Sequence, residues 1–321
     1  MPTVATATLL ILAATGAAGE DGLRSRTFEL TYRAEVRDIP AGARSLDLWI
    51  PVPRTDRHQV VHQLTIDAPG PVTLSQDDDG GNRYLHLRAE PPGAAPRVTL
   101  VIVATRSENA GSQEPLTDAQ RRRDLAPEPL VPLGGPVRDL ALEATRGAIT
   151  DEQKARAIYA TVTGLMTYDK SGTGWGRGDA LYACAAKRGN CTDFHALVIG
   201  MARCVGIPAR FAIGLPLPEA RGSGTIPGYH CWAELHVAGR GWVPVDASEA
   251  AKDPARRDYF FGHHDENRLE FSRGRDLTLV PPQRGGPLNF FVYPYAEVDG
   301  RPHDAIDHKF SYADRDAEIR R

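Results

Sequence analysis

The stretch Gly189-Asn190-Cys191-Thr192-Asp193-Phe194-His195 constrains the fold of this chain more than any other. Behind it, Phe194, Leu197, Val198, Met201, Ala202 and Val205 recur at the spacing of one helical face, which predicts a helix over Cys191 to Val205. Asn190 is a good N-cap, and Gly206 with Pro208 behind it is a good stop. Cys191 then stands in the first turn, where the helix's partial positive end and free N–H groups face its sulfur. That environment lowers a thiol pKa and raises the thiolate fraction. A cysteine in an apolar helix also serves as a small core residue, and this stretch alone does not separate the two roles.

Thiolate chemistry on an acyl group needs an imidazole to pair with the sulfur and protonate the leaving group, and a third group to hold the imidazole. Downstream, Tyr229 to Val237 alternates cleanly: Tyr229, Cys231, Ala233, Leu235 and Val237 on one face, His230, Trp232, Glu234 and His236 on the other. Gly239-Arg240 marks a turn, and Trp242 to Ala247 returns as a strand, with Pro244 requiring an edge or a bulge. His230 is the candidate base and Asp246 the candidate orienting acid. Trp232 shares the His230 face and can cover the ion pair from water. A two-residue turn at Gly239-Arg240 sets Asp246 opposite Ala233, on the wrong face from His230, so a bulge or a different loop register is required.

The rest of the chain divides by pattern. Thr27–Val36, Ser45–Ile50, Val60–Ile66, Val72–Ser75, Arg83–Arg88 and Val98–Ala104 predict short strands, hence a small β-sandwich over 26–106. Asp77-Asp78-Asp79-Gly80-Gly81 lacks the alternating ligands of a calcium loop and predicts a hairpin turn. Residues 107–135, rich in Pro, Gly and charge, predict a linker with one short helix over Thr117–Leu125. A core is expected over 136–313, opening with a helix over Pro136–Arg146. A second helix follows a Thr150-to-Gln153 capping box. Further strands are expected at Tyr259–Gly262, Leu269–Ser272, Leu277–Val280 and Asn289–Val298, and a frayed tail over 314–321. The loop Gly172 to Gly178 lacks the Lys-Ser/Thr ending of a phosphate-binding loop, so it is expected to present Trp175 rather than a nucleotide.

Residues 1–19 carry an uncharged apolar run, Val4 to Ala18, followed by small residues, and predict a secretory signal and an exported protein. No Lys or Arg precedes the run, and no other stretch is long enough to span a membrane. A net charge of −3 with interspersed signs gives no reason to expect nucleic acid as partner. If Cys191 is free, at most one disulfide forms among Cys184, Cys204 and Cys231.

Four blocks in fixed order carry a family resemblance: Gly189 to His195, Gly206-Ile207-Pro208-Ala209-Arg210, Tyr229-His230-Cys231-Trp232-Ala233-Glu234, and Gly241-Trp242-Val243-Pro244-Val245-Asp246. Together they resemble the transglutaminase-like core superfamily of bacteria, over roughly Ile149 to Val280. The resemblance implies an α+β fold, a papain-like core of helices packed on an antiparallel sheet, here preceded by the small β-sandwich. It implies a Cys191-His230-Asp246 triad, no cofactor and no metal, and a peptide or protein substrate whose amide is hydrolysed or passed to an amine. The 75 residues after Asp246 leave no room for the two further β-domains of calcium-dependent animal cross-linking enzymes. Ala185 stands where papain-type proteases carry the oxyanion glutamine, so the Cys191 N–H and a second donor, with Trp175 a candidate, are expected to serve. Tyr229 and Trp232 fit either core or cleft wall, and His195 lines or braces the site. Two alternatives remain: a silent binding module on the same fold, and a zinc-stabilised domain using Cys184, Cys191, His195 and His230.

Overall fold

The structure is a computed structural model that describes residues 5–9, 22–77, 81–92 and 95–315. In chain order its elements open with seven strands: β1 (Ala5–Leu9), β2 (Ser25–Val36), β3 (Leu46–Val52), β4 (Gln59–Ala68), β5 (Val72–Gln76), β6 (Arg83–Ala89) and β7 (Arg97–Ser107). Helices α1 (Asp118–Leu125), α2 (Gly135–Ala144) and α3 (Asp151–Leu165) follow, then β8 (Thr167–Tyr168), α4 (Ala180–Ala186), β9 (Arg188–Gly189) and α5 (Cys191–Cys204). Next come β10 (Ala209–Pro216), β11 (Ser223–Ile226), β12 (His230–Val237), β13 (Gly241–Val245) and α6 (Ala247–Lys252). The chain closes with β14 (Arg268–Arg273), β15 (Tyr295–Val298), β16 (Arg301–His303) and β17 (Ile306–Asp314). Two compact units divide the chain: 1–108 with 213–229 and 265–321, and 109–212 with 230–264.

The first unit holds a six-stranded sheet, β1-β4-β7-β2-β17-β11, and a five-stranded one, β16-β15-β3-β6-β5. In β2, Phe28, Leu30, Tyr32, Ala34 and Val36 are buried while their neighbours are not, which is the period-two signature of a sheet with one dry face. The expected hairpin between β5 and β6 is present, with Gln76 across from Arg83 and Asp77 N–H donating to Asn82 O. The single core expected over 136–313 needs correction: 213–229 and 265–313 group with the first unit. β15 pairs with β3 and β17 with β2, contacts made across 246 residues or more that no local pattern announces. Asp314 ends β17, and its carboxylate accepts from Arg26 Nε at 2.7 Å and Nη2 at 3.0 Å. Tyr259–Gly262 and Leu277–Val280 form only isolated bridges, Phe261 to Val245 and Leu277 to Leu288. Of the expected leader, Ala5–Leu9 pairs antiparallel with β4, and the rest lies outside the described residues.

The second unit is built around α5. Every residue from Cys191 to Arg203 is buried, as befits a helix apolar all round. Burying Phe194, Leu197, Val198 and Met201 stabilises the unit by roughly 1.5–3 kcal/mol each. Arg203, also buried, is satisfied by donating to Ala209 O at 2.9 Å, Ala126 O at 2.7 Å and Glu128 Oε1 at 2.9 Å. Helix α3 starts on the expected capping box, with Gln153 N–H donating to Thr150 Oγ1. Strands β13, β12 and the start of β10 supply the sheet. No helix among the described residues is long and apolar enough to cross a membrane.

Candidate active site

Asn190 and Asp193 fix where α5 begins. Asn190 Oδ1 accepts from the Thr192 N–H at 3.0 Å and its hydroxyl at 2.6 Å, and Asp193 Oδ2 accepts from Asn190 N–H at 3.0 Å. This is a capping box with an acid at the third position. Asp193 also accepts from Gly176 N–H at 2.7 Å and Gly178 N–H at 3.0 Å, so one carboxylate pins the glycine-rich loop to the helix start. A side chain at Gly189 would place its Cβ 2.4 Å from that carboxylate, and only glycine fits there.

The hairpin register settles whether His230 and Asp246 share a face. Val237 pairs with Gly241 and Ala233 with Val245, so the loop is Ala238-Gly239-Arg240, one residue longer than a two-residue turn. Gly239 and Gly241 take φ of 76° and 79°, conformations that glycine accepts without strain. Extending that register puts Asp246 across from Trp232, on the His230 face. Pro244 is not a bulge; its position opposite Glu234 lies in regular pairing.

Asp246 is fully buried and caps α6. Its Oδ2 lies 2.7 Å from His230 Nε2, while Oδ1 accepts from the Ser248 hydroxyl at 3.1 Å and Glu249 N–H at 3.0 Å. With Nε2 committed to Asp246, the other ring nitrogen is left for Cys191, whose sulfur is among the groups that raise the His230 pKa. Burial alone lowers the His230 pKa, but the Asp246 charge and hydrogen bond and the Cys191 sulfur outweigh it and raise it well above the usual imidazole range. Cys191 moves the opposite way. A hydrogen bond from Cys231 contributes most to lowering its pKa; burial opposes, and the His230 hydrogen bond and charge and His195 add to the lowering. The two shifts run in the directions that favour a thiolate beside an imidazolium.

His195, one turn after Cys191, is fully buried. Its Nε2 accepts from Ala247 N–H at 3.1 Å and its Nδ1–H donates to Cys191 O at 2.7 Å, so it bridges the nucleophile's turn to the start of α6. Burial holds this ring toward the neutral form. Both its nitrogens are committed to backbone. Among the described residues no group of three or more His, Cys, Asp and Glu could hold a metal, so the zinc alternative finds no donor set. Trp232 is buried, 6.2 Å from the His230 ring and edge-on to His264 at 5.6 Å. Trp175 donates its indole N–H to Gly172 O at 3.2 Å, inside its own loop, which takes up the hydrogen proposed for an oxyanion. Tyr229 belongs to the other unit, packed against Phe290 and Tyr293. All four cysteines are free thiols.

Two neighbours escaped the sequence reading. Tyr168, on the short strand beside Arg188-Gly189, has its phenol pKa raised by burial and by Cys191, Glu249, Cys231 and Asp246. The ammonium of Lys252 lies 4.0 Å from its ring centroid. Cys231, assigned to the face away from His230, nonetheless meets Cys191.

Comparison with known proteins agrees with this architecture. Residues 138–247 match the family model of the transglutaminase-like superfamily. An uncharacterized protein of Haemophilus influenzae is 28% identical over 320 residues, covering 85% of this chain and 87% of its own. The crystal structure of a candidate cysteine protease from Cytophaga hutchinsonii superposes with a TM-score of 0.59 at 14% identity, covering 92% of this chain and 93% of that one. The periplasmic domain of TgpA from Pseudomonas aeruginosa gives a TM-score of 0.39 at 17% identity, covering 71% and 90%.

Proposed function

We propose that this protein is a cysteine-nucleophile enzyme that acts on amide bonds of a peptide or protein. Cys191 is the nucleophile, His230 the acid and base, and Asp246 the group that orients the ring. The observation that carries this reading is the buried cluster of Cys191, His230 and Asp246, with His230 Nε2 2.7 Å from one Asp246 oxygen and the far oxygen held by Ser248 and Glu249. The Cys191 thiolate attacks the substrate carbonyl carbon, and the oxyanion draws on the Cys191 N–H at the helix start. The His230 imidazolium gives its proton to the departing amine, leaving a thioester. His230, now neutral, takes a proton from water or from an acceptor amine, which attacks the thioester and frees the thiolate. Asp246 stays ionised throughout and stabilises the imidazolium.

The test is alkylation followed by turnover. Cys191 is expected to react with iodoacetamide at pH values well below those an ordinary thiol of pKa ~8.5 requires. Cys184 and Cys204, whose pKa values burial raises, should lag. Cys191→Ser should abolish acyl-enzyme trapping on a thioester-forming peptide probe while the fold persists. If Cys191 labels no faster than Cys184, the enzymatic reading gives way to a binding module. Export is part of the proposal, and a mature N-terminus near Gly19 or Glu20, read by mass spectrometry, checks it; retention of Met1 would sink it.

A further inference from the structure

Cys231 plays no part in the acyl chemistry above, yet it is buried beside the same His195 ring as Cys191: Nδ1 lies 2.7 Å from Cys191 O and 3.7 Å from Cys231 Sγ, and Cys231 is the foremost group lowering the Cys191 pKa. The hydrogen positions around it follow from His195. A backbone amide can only donate, so Ala247 N–H leaves His195 Nε2 as the bare nitrogen and puts the ring hydrogen on Nδ1. Cys231 Sγ lies 3.7 Å from that Nδ1, so it can accept from the ring but cannot donate to it. Its S–H is left to donate to the Cys191 sulfur. The other two cysteines, Cys184 and Cys204, are half-buried on α4 and at the end of α5.

We infer that Cys191 and Cys231 form a peroxide-responsive thiol pair, in which Cys231 captures the oxidised nucleophile as an intramolecular disulfide that reducing thiols reverse. The inference rests on Cys191 being the reactive thiolate of the proposed function. Hydrogen peroxide is the oxidant, small and uncharged enough to reach a sulfur whose residue is only 2% exposed. The Cys191 thiolate attacks one peroxide oxygen; an S–O bond forms, the O–O bond breaks and hydroxide leaves, giving a sulfenic acid. Cys231 sulfur then attacks Cys191 sulfur. The S–S bond forms, the S–O bond breaks, and the departing hydroxide takes the Cys231 proton as water. Two electrons pass from the sulfurs to the peroxide, and two thiols with one peroxide become one disulfide and two waters. Forming the disulfide brings the two sulfurs to ~2.05 Å. The nucleophile is thereby parked in a reversible form rather than driven to sulfinic acid.

The test treats the full, reduced chain with stoichiometric hydrogen peroxide, then maps non-reduced peptides. Expected is a covalent link between the peptides holding Cys191 and Cys231, loss of fast iodoacetamide labelling, and its near-complete return after dithiothreitol. In Cys231→Ala, with Cys231→Ser as a second variant against misfolding, Cys191 should proceed to sulfinic acid. Dithiothreitol should then restore less than about one tenth of the labelling. Sulfinic acid forming in the wild type as fast as in Cys231→Ala, or a link from Cys191 to Cys184 or Cys204, would overturn the inference. Labelling before peroxide separates the two readings. Fast labelling with no disulfide sinks the thiol pair alone, whereas slow labelling from the start sinks the nucleophile and takes this inference with it.

Discussion

Asp314 and Asp246 are two carboxylates each held by a basic side chain at 2.7 Å, one in each unit, and they do different things. Asp314 meets Arg26, whose guanidinium is buried, and arginine serves proteins as a permanent cation. That pair can only hold strands β2 and β17 in register. Asp246 meets His230, whose ring can carry a proton or release it, and behind that ring lies a thiol. A buried acid beside a permanent cation is structure; beside a titratable one next to a thiol, it fits the proposed chemistry. The difference lies in the partner, not in burial or distance.

The largest expected effects fall on the titratable side. Cys191→Ala and His230→Ala should each lower turnover by about 10³–10⁶, and Asp246→Asn by about 10²–10⁴. Cys191→Ala should leave the unfolding midpoint nearly unchanged. Alkylation of Cys191 should slow in His230→Ala and slow less in Asp246→Asn. Turnover that survives Asp246→Asn at the wild-type level would make Asp246 a structural acid like Asp314 and erase the contrast.

The second effect falls on the permanent-cation side. Asp314→Asn strips Arg26 of a bidentate partner and leaves a buried guanidinium with only Pro218 O and Asn267 Oδ1. Removing one member of a buried pair costs about 3–5 kcal/mol, discounted here because Asp314 keeps 19% exposure of its side chain. Denaturant unfolding should show the loss, while the pH dependence of Cys191 alkylation in the folded protein should not move. A shifted alkylation profile would mean that Asp314 acts on the site.

Sequence and structure part company at identifiable points. The start of α5, its cap and the residues of the four blocks were legible because helix period and capping chemistry are local. The hairpin was legible to within one residue. That residue decides the face of Asp246, and it turned on Gly241 taking a positive φ, which composition permits but does not require. The role of Cys231 was hidden because alternation along β12 assigns it away from His230. Tyr168 was hidden because its proximity to Cys191 arises from a two-residue parallel bridge. The return of 265–313 to the first unit was hidden because pairing of β15 with β3 and of β17 with β2 leaves no trace in either strand's own pattern.

Acid stability gives a third, smaller effect. Burial by itself raises the Asp56 pKa, but Arg273, Arg54 and Arg106 outweigh it and hold the carboxyl at about 2. A depressed folded pKa contributes stability above the ordinary carboxylate range, and that stability is lost as pH falls through the folded value. Here the loss is about 2 kcal/mol between about pH 5 and pH 2. His230, raised rather than lowered, has the opposite sign: its share is present below the ordinary imidazole pKa and fades as pH rises through the folded one. Unfolding free energies of wild type and Asp56→Asn should therefore differ at neutral pH and converge in acid. A constant gap down to about pH 2 would show that Asp56 does not titrate as the arginines dictate.

The smallest expected effect tests how much of the Cys191 thiolate belongs to the helix and how much to its side-chain partners. Asn190→Ala removes the acceptor of the Thr192 N–H and hydroxyl. Loss of such a cap costs about 1 kcal/mol, measurable by denaturant unfolding. The helix start should nevertheless stay in place, because Asp193 still accepts from Gly176, Gly178 and the residue 190 backbone N–H. The helix end itself contributes only about 0.3–1 kcal/mol to a charge at its first turn, and that field survives the substitution. Cys231 and His230, both of which lower the Cys191 pKa, also survive it. Alkylation of Cys191 in Asn190→Ala should therefore slow by less than about tenfold, well short of His230→Ala. If the two variants slow it equally, the thiolate depends on the placement of the helix terminus, and the partner of a buried group is not what separates chemistry from structure in this chain.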